Sequence, residues 1–520
     1  MERGMLVYLQ KHSHDTLGRP AYLLPLLSGI ALIPAFPPAN QGYLAWIALV
    51  PFFWFCLQAR PGQALLGGYL FGIPVHSYLN LYLAGVLFTH LSHSLAILAL
   101  VLLILALASF NALFALAASC MRRLQNSFAT ALAIPALWLL MEYCRSLSFI
   151  GYNVGYIGYT QWNYPFALNI ASVYGYWGIA FFIALWQSLI VPAWTRSLRG
   201  KKLIATAAIF IVPMALGILV PPLYPVKKSN ETLFTALIQG NSSAAEILSQ
   251  KGKQVILQRY LDYTRQALER EPQVELVVWP ETVVDLHFDE EMMHHPQMMK
   301  IAEELGIAIL YGARVKDVTG LYNAILLLNP DGTDQIYRKQ RLVPFAEYFP
   351  MADLLNRLVN LDFILGSYTP GEETNLFRYN GIPLAGVICF ESYFGDYTRL
   401  FARKGARHLF ILTNDVWFGK TNGPDQHAQV AAIRAAETGM GVTQVANSGI
   451  TISFDYQGKE LVRSEKMEAE IIILPLDLAS RDTFYVKAGE FLPAACLVYL
   501  ALTAGSALLR QRRAGTTGGR

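Results

Sequence analysis

The sequence predicts a polytopic α-helical membrane bundle carrying one α/β layered domain. Three observations point there. The 520-residue chain is 54% hydrophobic and only 15% charged, with mean hydropathy +0.35, whereas about a quarter of residues are charged in ordinary globular domains. The charge is unevenly placed: 14 charged residues fall in 1–222, 59 in 223–488 and 5 in 489–520. Lys and Arg also gather in alternate loops between apolar runs. Such a chain is too apolar to be disordered, and it lacks the low-complexity tracts of a fibre. Its net charge of +4 points to no nucleic-acid partner.

Crossing a bilayer takes roughly 20 apolar residues. Seven runs before residue 223 approach that length, near 21–37, 43–59, 65–87, 93–119, 127–144, 165–194 and 203–221, and an eighth lies near 489–509. The third holds His76, Ser77, Asn80 and Tyr82, read first as polar contacts between helices. Arg3, Lys11 and Arg19 precede the first run. Arg60 follows the second, Arg122 and Arg123 the fourth, Arg196, Arg199, Lys201 and Lys202 the sixth, and Arg510, Arg512, Arg513 and Arg520 the eighth. The intervening loops are nearly free of Lys and Arg, with only Arg145 in the longest. The positive-inside rule then puts both termini in the cytoplasm and residues 223–488 outside the inner membrane, on the periplasmic side in a bacterium. The first run reads as an uncleaved span because a whole bundle follows it. The division is therefore a bundle at 1–222, a folded domain at 223–488, and a last span with a basic tail at 489–520.

The middle segment has 26 basic and 33 acidic residues. Residues 233–239, 276–279, 307–314, 322–328, 334–337, 384–388, 408–412, 442–446, 451–455 and 471–474 read as strands. Residues 252–270, 298–305 and 426–438 read as helices. Asn329-Pro330-Asp331-Gly332 and Gln457-Gly458 mark turns. Alternating helices and strands with intruding hairpins make a layered α/β or α+β domain.

Reactive groups in such sheets sit just past the carboxyl ends of strands. Glu281, Cys389 and Asn414 do so, and Lys339 follows the strand at 334–337. A carboxylate can take a thiol's proton, and an ammonium can stabilise the oxyanion formed when the thiolate attacks an acyl carbon. Cys389 is the one cysteine of the folded segment. Cys56, Cys120, Cys144 and Cys496 lie in or beside apolar runs, so an exported domain here has no internal disulfide. Plainer readings stand beside this one. Cys389 suits an inert core thiol, Glu281 a first-turn helix carboxylate, and Lys339 one cation of a solvated edge with Arg338 and Arg341. His287, His294 and His295 fit no usual metal spacing, and no cofactor is expected.

Four motifs occur in order: Val-Val-Trp-Pro-Glu-Thr (277–282), Tyr-Arg-Lys-Gln-Arg-Leu-Val-Pro-Phe-Ala-Glu (337–347), Val-Ile-Cys-Phe-Glu (387–391) and Thr-Asn-Asp-Val-Trp-Phe-Gly (413–419). Together they resemble the carbon–nitrogen hydrolase (nitrilase) superfamily. With the membrane runs, Gln239-Gly240-Asn241, Gln426-His427 and Arg434 with Glu437, the chain resembles its membrane-bound branch, the apolipoprotein N-acyltransferases. That resemblance implies a nitrilase-like αββα sandwich with a Glu281, Lys339 and Cys389 triad. Glu281 would be base then acid, Lys339 the oxyanion stabiliser, and Cys389 the nucleophile carrying a thioester. Glu347 and Glu391 match auxiliary glutamates, and Phe390, Asn414 and Trp417 are candidates for substrate binding. The implied reaction moves an acyl chain from a phospholipid, typically phosphatidylethanolamine, to the α-amino group of a diacylglyceryl-cysteine apolipoprotein. The enzyme is expected to be a monomer. The alternatives are a membrane-tethered amidase with water as acceptor, and an inactive docking relative.

The motifs depart from the family pattern in three places. Ser242-Ser243-Ala244-Ala245 replaces a stretch that often holds a tryptophan. Phe390 stands for a common tyrosine, and Gly439-Met440-Gly441 for Gly-Arg-Pro. The aromatic stretch Phe149–Tyr159 reads first as an interfacial belt, with a water-excluding lining of the site as the other reading.

Overall fold

In the computed structural model of the chain, residues 17–121, 127–147, 151–194, 200–229, 231–287, 296–348 and 368–517 are described. Arg3, Lys11, Arg122, Arg123, Phe149, Arg196, Arg199, His294, His295 and Arg520, named above, lie outside them.

Each of the eight apolar runs is wholly or mainly helical. Among the described residues, one helix, His93–Met121, is long and apolar enough to cross a membrane. Two bent pairs, Pro61–Asn80 with Leu83–Thr89 and Pro165–Tyr174 with Tyr176–Val191, raise the number to three if each pair is one span. Runs three and six are thus broken where the sequence suggested continuous spans, by 64° and 117°. The second break falls at Gly175. Its φ of +68° favours glycine, and a Cβ there would meet the Tyr485 ring at 2.5 Å. The remaining runs form shorter helices or helices that fail the test among the described residues. In the third run, His76 Nε2 meets Asn111 Oδ1 of His93–Met121 at 2.9 Å, an interhelical polar contact as read from the sequence.

Among the described residues the folded segment contains two large sheets and a two-stranded ladder of Val226–Lys227 with Ser480–Arg481. One runs in the order Glu470–Asp477, Thr232–Gln239, Leu276–Val278, Ala308–Asp317, Gly320–Leu328, Asp334–Arg338, with Val284–His287 also paired to Ala308–Asp317. The other runs Glu460–Arg463, Ile452–Phe454, Gly441–Ala446, His408–Thr413, Ile382–Ile388, Phe377–Tyr379. The central strands of each sheet are parallel and the hairpins lie at the edges. Strand period two sorts the core. Leu237, Leu276, Val278 and Leu310 join the cluster shared with the second sheet. Their neighbours Ala236, Val277, Trp279 and Ile309 pack with Ile256, Tyr260 and Met298 of the helices Gln250–Arg270 and Pro296–Leu305. The helices Gly395–Arg403 and Gly423–Thr438 cover the second sheet, completing four αββα layers.

Gln239-Gly240-Asn241 joins the sheets. Asn241 N–H donates to the Asn447 carbonyl at 2.8 Å, and Gln239 Oε1 accepts from Thr451 and Ser464. Helix Gly423–Thr438 joins the sandwich to the helical part, because Glu437 accepts the Tyr176 N–H. The apolar core is continuous across that seam, from Phe52 and Trp138 through Tyr159 and Tyr393 to Leu409.

Candidate active site

Strand Ile382–Ile388 ends at Cys389, which adopts φ +49° and opens a single 3₁₀ turn, Cys389–Tyr393. Positive φ at a residue with a Cβ is a strained conformation that its surroundings must hold in place. Two buried groups do so. Glu391 accepts from the Ile388 N–H at 2.8 Å. His427 Nε2 lies 3.2 Å from the Cys389 carbonyl oxygen and 3.2 Å from Ser392 Oγ. The Cys389 side chain is half-buried rather than an enclosed core thiol.

Lys339 follows strand Asp334–Arg338 and is 1% exposed, so it is not part of a solvated basic edge. Its Nζ lies 2.9 Å from Glu347 Oε1 and 3.7 Å from Glu281 Oε1. Glu281 sits in a turn after strand Leu276–Val278, not in a helix. Asn323 Nδ2 donates to Glu281 Oε1 at 2.7 Å and to Glu347 Oε1 at 2.9 Å, and the Asn414 N–H donates to Glu281 Oε2 at 2.9 Å. Glu347 Oε2 accepts from the Val343 N–H at 2.8 Å. Glu391 takes the Gln340 and Arg341 N–H groups at 2.8 and 3.1 Å and the Tyr337 hydroxyl at 2.7 Å. One carboxylate thus ties the cysteine turn to the lysine loop.

Burial pushes the Cys389 thiol well up and Glu281 repels its thiolate, while Lys339 pulls the other way. Glu281 is also raised, by burial first and against the pull of Lys339. Burial disfavours the Lys339 cation, but the carboxylates of Glu347 and Glu281 and the nearby thiol outweigh it, and its pKa rises. Burial raises Glu391, opposed by Lys339 and by its hydrogen-bond donors. The site therefore holds a fixed cation, a neutral thiol and a carboxylate whose basicity is increased. That combination suits proton abstraction from the thiol followed by attack on an acyl carbon.

Among the described residues, Cys389, Asp415 and His427 form the one group with metal-ligating atoms within 4.8 Å of one another. Both His427 nitrogens are engaged, Nδ1 with Asp415 Oδ1 at 3.1 Å and Nε2 with the Cys389 carbonyl. The group reads as a hydrogen-bonded chain behind Cys389 rather than a metal centre.

The structure brings Glu281, Lys339, Cys389, Glu347 and Glu391 into one network. Asn414 enters it through its backbone. Phe390 packs on Phe394 at 5.2 Å between ring centroids. Trp417 lies in the turn Val416–Phe418, which packs on helix Leu83–His90. Sequence reasoning missed Asn323, Asp415 and Tyr337. An amide inside the apolar strand Gly320–Leu328 is the signal that points to Asn323. The aromatic stretch near 149–159 is not an interfacial belt where described: Tyr156 and Tyr159 are each 1% exposed, and Tyr159 meets the Tyr393 ring edge-on at 6.0 Å.

Comparison with known proteins gives two family models. Residues 28–189 match the apolipoprotein N-acyltransferase N-terminal domain and residues 234–484 match carbon-nitrogen hydrolase. The apolipoprotein N-acyltransferase of Geobacter metallireducens is 28% identical over 97% of this chain and 98% of its own length. That of Pseudomonas syringae pv. tomato is 31% identical over 88% of this chain and 90% of its own. The crystal structure of Saccharomyces cerevisiae Nit3, a member of branch 10 of the nitrilase superfamily, aligns at 20% identity with TM-score 0.39, covering 48% of this chain and 90% of that one.

Proposed function

The chain belongs to the apolipoprotein N-acyltransferase family and acts in lipoprotein N-acylation, and we propose that it does so through a thioester on Cys389. Glu281 takes the Sγ proton, and the thiolate attacks the ester carbonyl of a phospholipid. Lys339 stabilises the oxyanion. As the tetrahedral intermediate collapses, the carbon–oxygen bond breaks and Glu281 returns the proton to the departing lysophospholipid. The α-amine of the diacylglyceryl-cysteine then attacks the thioester, Glu281 accepts its proton, and Cys389 leaves. The scheme is ping-pong and needs no nucleotide, since each step exchanges one acyl bond for another.

The observation that carries this reading is the pinning of Glu281. Asn323 and the Asn414 N–H hold it beside Lys339 while burial raises its basicity. Glu347 neutralises and orients Lys339, and Glu391 keeps the two loops in register. Phe390, Asn414 and Trp417 are the proposed substrate-facing residues.

The proposed setting is the bacterial inner membrane. There, residues 1–222 and 489–520 embed the chain through about eight membrane-inserted runs, some of them bent. Both termini are cytoplasmic and residues 223–488 face the periplasm. Phosphatidylethanolamine is the proposed donor and a monomer the proposed working unit. Both substrates then reach the site by lateral diffusion in the outer leaflet.

The test is mass spectrometry of the detergent-purified protein given phospholipid alone. S-acylated Cys389 and one lysophospholipid per enzyme are expected, with acyl transfer when a diacylated lipopeptide is added and none in Cys389→Ser. Steady release of free fatty acid without transfer would overturn the reading in favour of a hydrolase with water as acceptor.

A further inference from the structure

A cavity of about 130 Å³ lies at the seam between the helical part and the sandwich, far above the roughly 10–15 Å³ that one water needs. Its walls carry two guanidiniums, Arg341 and Arg434, and three carboxylates, Asp396, Glu437 and Glu490. Two pairs account for four of these charges. Arg434 Nε lies 2.9 Å from Glu437 Oε2, and Arg341 Nη2 lies 3.3 Å from Asp396 Oδ2.

Arg434 is left incomplete. It is 1% exposed, its Nη1 donates to the Tyr393 carbonyl at 3.3 Å, and its Nη2 has no hydrogen-bond partner among the described residues. A buried charged donor without an acceptor is costly, so such a group in a cavity marks the place of an acceptor supplied from outside. A planar guanidinium suits a phosphate oxygen. Arg341 stands partly exposed over the Phe394 ring, 4.9 Å from its centroid.

The position links this cavity to the reacting atoms. Arg341 is two residues past Lys339. Tyr393 ends the Cys389 turn and Phe394 follows it; both lie in the cavity wall, and the Phe390 ring packs on both. Of the two lipid substrates in the proposed reaction, the phospholipid donor carries a phosphate, whereas the acceptor presents an amine at its reacting end. Glu490, outside the two ion pairs and hydrogen-bonded to Trp177, makes the cavity less suited to an anionic headgroup than to one that also carries an ammonium.

We propose that this cavity is the headgroup subsite of the acyl donor, in which Arg434 and Arg341 hold the phosphate and Glu490 faces a cationic headgroup. The assignment rests on the thioester reading above and adds the group that selects the donor.

The experiment measures initial rates of Cys389 S-acylation in the full-length protein in detergent. The donors are phosphatidylethanolamine, phosphatidylglycerol and the phosphate-free ester p-nitrophenyl palmitate. Arg341→Gln is expected to lower the rate with phosphatidylethanolamine about tenfold more than with the p-nitrophenyl ester, mostly through donor KM, as for loss of one charge-assisted hydrogen bond. Arg434→Lys should act in the same direction, and its melting temperature separates a binding loss from misfolding. Glu490→Gln should narrow the preference for phosphatidylethanolamine over phosphatidylglycerol. Soluble glycerophosphoethanolamine should compete with the phospholipid in the wild type. Equal losses with all donors, or no loss in Arg341→Gln, would overturn the subsite. So would equal competition by inorganic phosphate, which would make it a simple anion site. S-acylation that fails with every donor would overturn the thioester reading itself.

Discussion

Glu391→Gln isolates the carboxylate that ties Cys389, the proposed nucleophile, to the lysine loop. Glu391 is fully buried and accepts three backbone N–H groups and one phenol. Its Oε1 faces Gln340 and Arg341, and its Oε2 faces Ile388. An amide nitrogen in the Oε1 place would orphan two donors, so the glutamine settles with nitrogen toward Ile388 and orphans one. One buried unpaired N–H costs about 1–3 kcal/mol, and the remaining bonds lose their charge assistance. A total near 3 kcal/mol lowers the melting temperature by about 6–12 °C for a folded unit of this size. The same change removes the Ile388 bond that holds the positive-φ Cys389 turn and weakens, without breaking, the tie to the Lys339 loop. Misplacement of about 1 Å at reacting groups costs on the order of 100-fold in rate. The assays are a thermal melt in detergent and the rate of Cys389 S-acylation. A cycle with Tyr337→Phe should return a coupling of roughly 1 kcal/mol, since Tyr337 reaches this network through Glu391. A Glu391→Gln protein that melts within about 2 °C of wild type and acylates at full rate would refute the reasoning.

Asn323→Leu removes the amide that bridges Glu281 and Glu347 and should cut the S-acylation rate by about 10²-fold while donor KM changes little, read from kcat and KM separately. For His427, burial favours the neutral ring but Asp415 outweighs it, and the pKa rises above 6.5. Its stabilising contribution is therefore fully present below about pH 6.5 and is lost as pH rises through the higher folded value. Thermal melts across that interval should show this slope in the wild type and a flatter one in His427→Gln. Gly240→Ala would drive a Cβ to 2.4 Å from the Tyr260 ring where the two sheets join. A loss of about 1–3 kcal/mol is expected from a denaturant or thermal melt.

Much of the site was legible because its parts sit in local sequence contexts with a physical meaning. Strand-period runs ending at Glu281, Cys389 and Asn414 placed those residues at one edge of the sheets, and that edge is where the structure holds them. Periodicity also located nearly every central strand. It missed short elements such as Val284–His287 and Phe377–Tyr379, whose pairing is supplied by neighbours rather than by their own pattern. Runs three and six looked like single spans because composition does not report direction, and the bend at Gly175 depends on what Tyr485 occupies from 310 residues away. The tyrosines near 156 looked interfacial because an aromatic cluster reads alike whether it faces lipid or a buried seam.

Composition and charge placement suggested the division of the chain, and strand endings together with the family resemblance nominated the proposed reactive side chains, since hydropathy, charge placement and motifs are properties of contiguous residues. The partnerships depended on the fold. Asn323 between two glutamates, Glu391 binding two loops, Asp415 behind His427 and Arg434 reaching the Tyr393 carbonyl in the seam all join residues apart in sequence. Their chemistry follows from burial and distance, which arise only when the two sheets and the helices pack together.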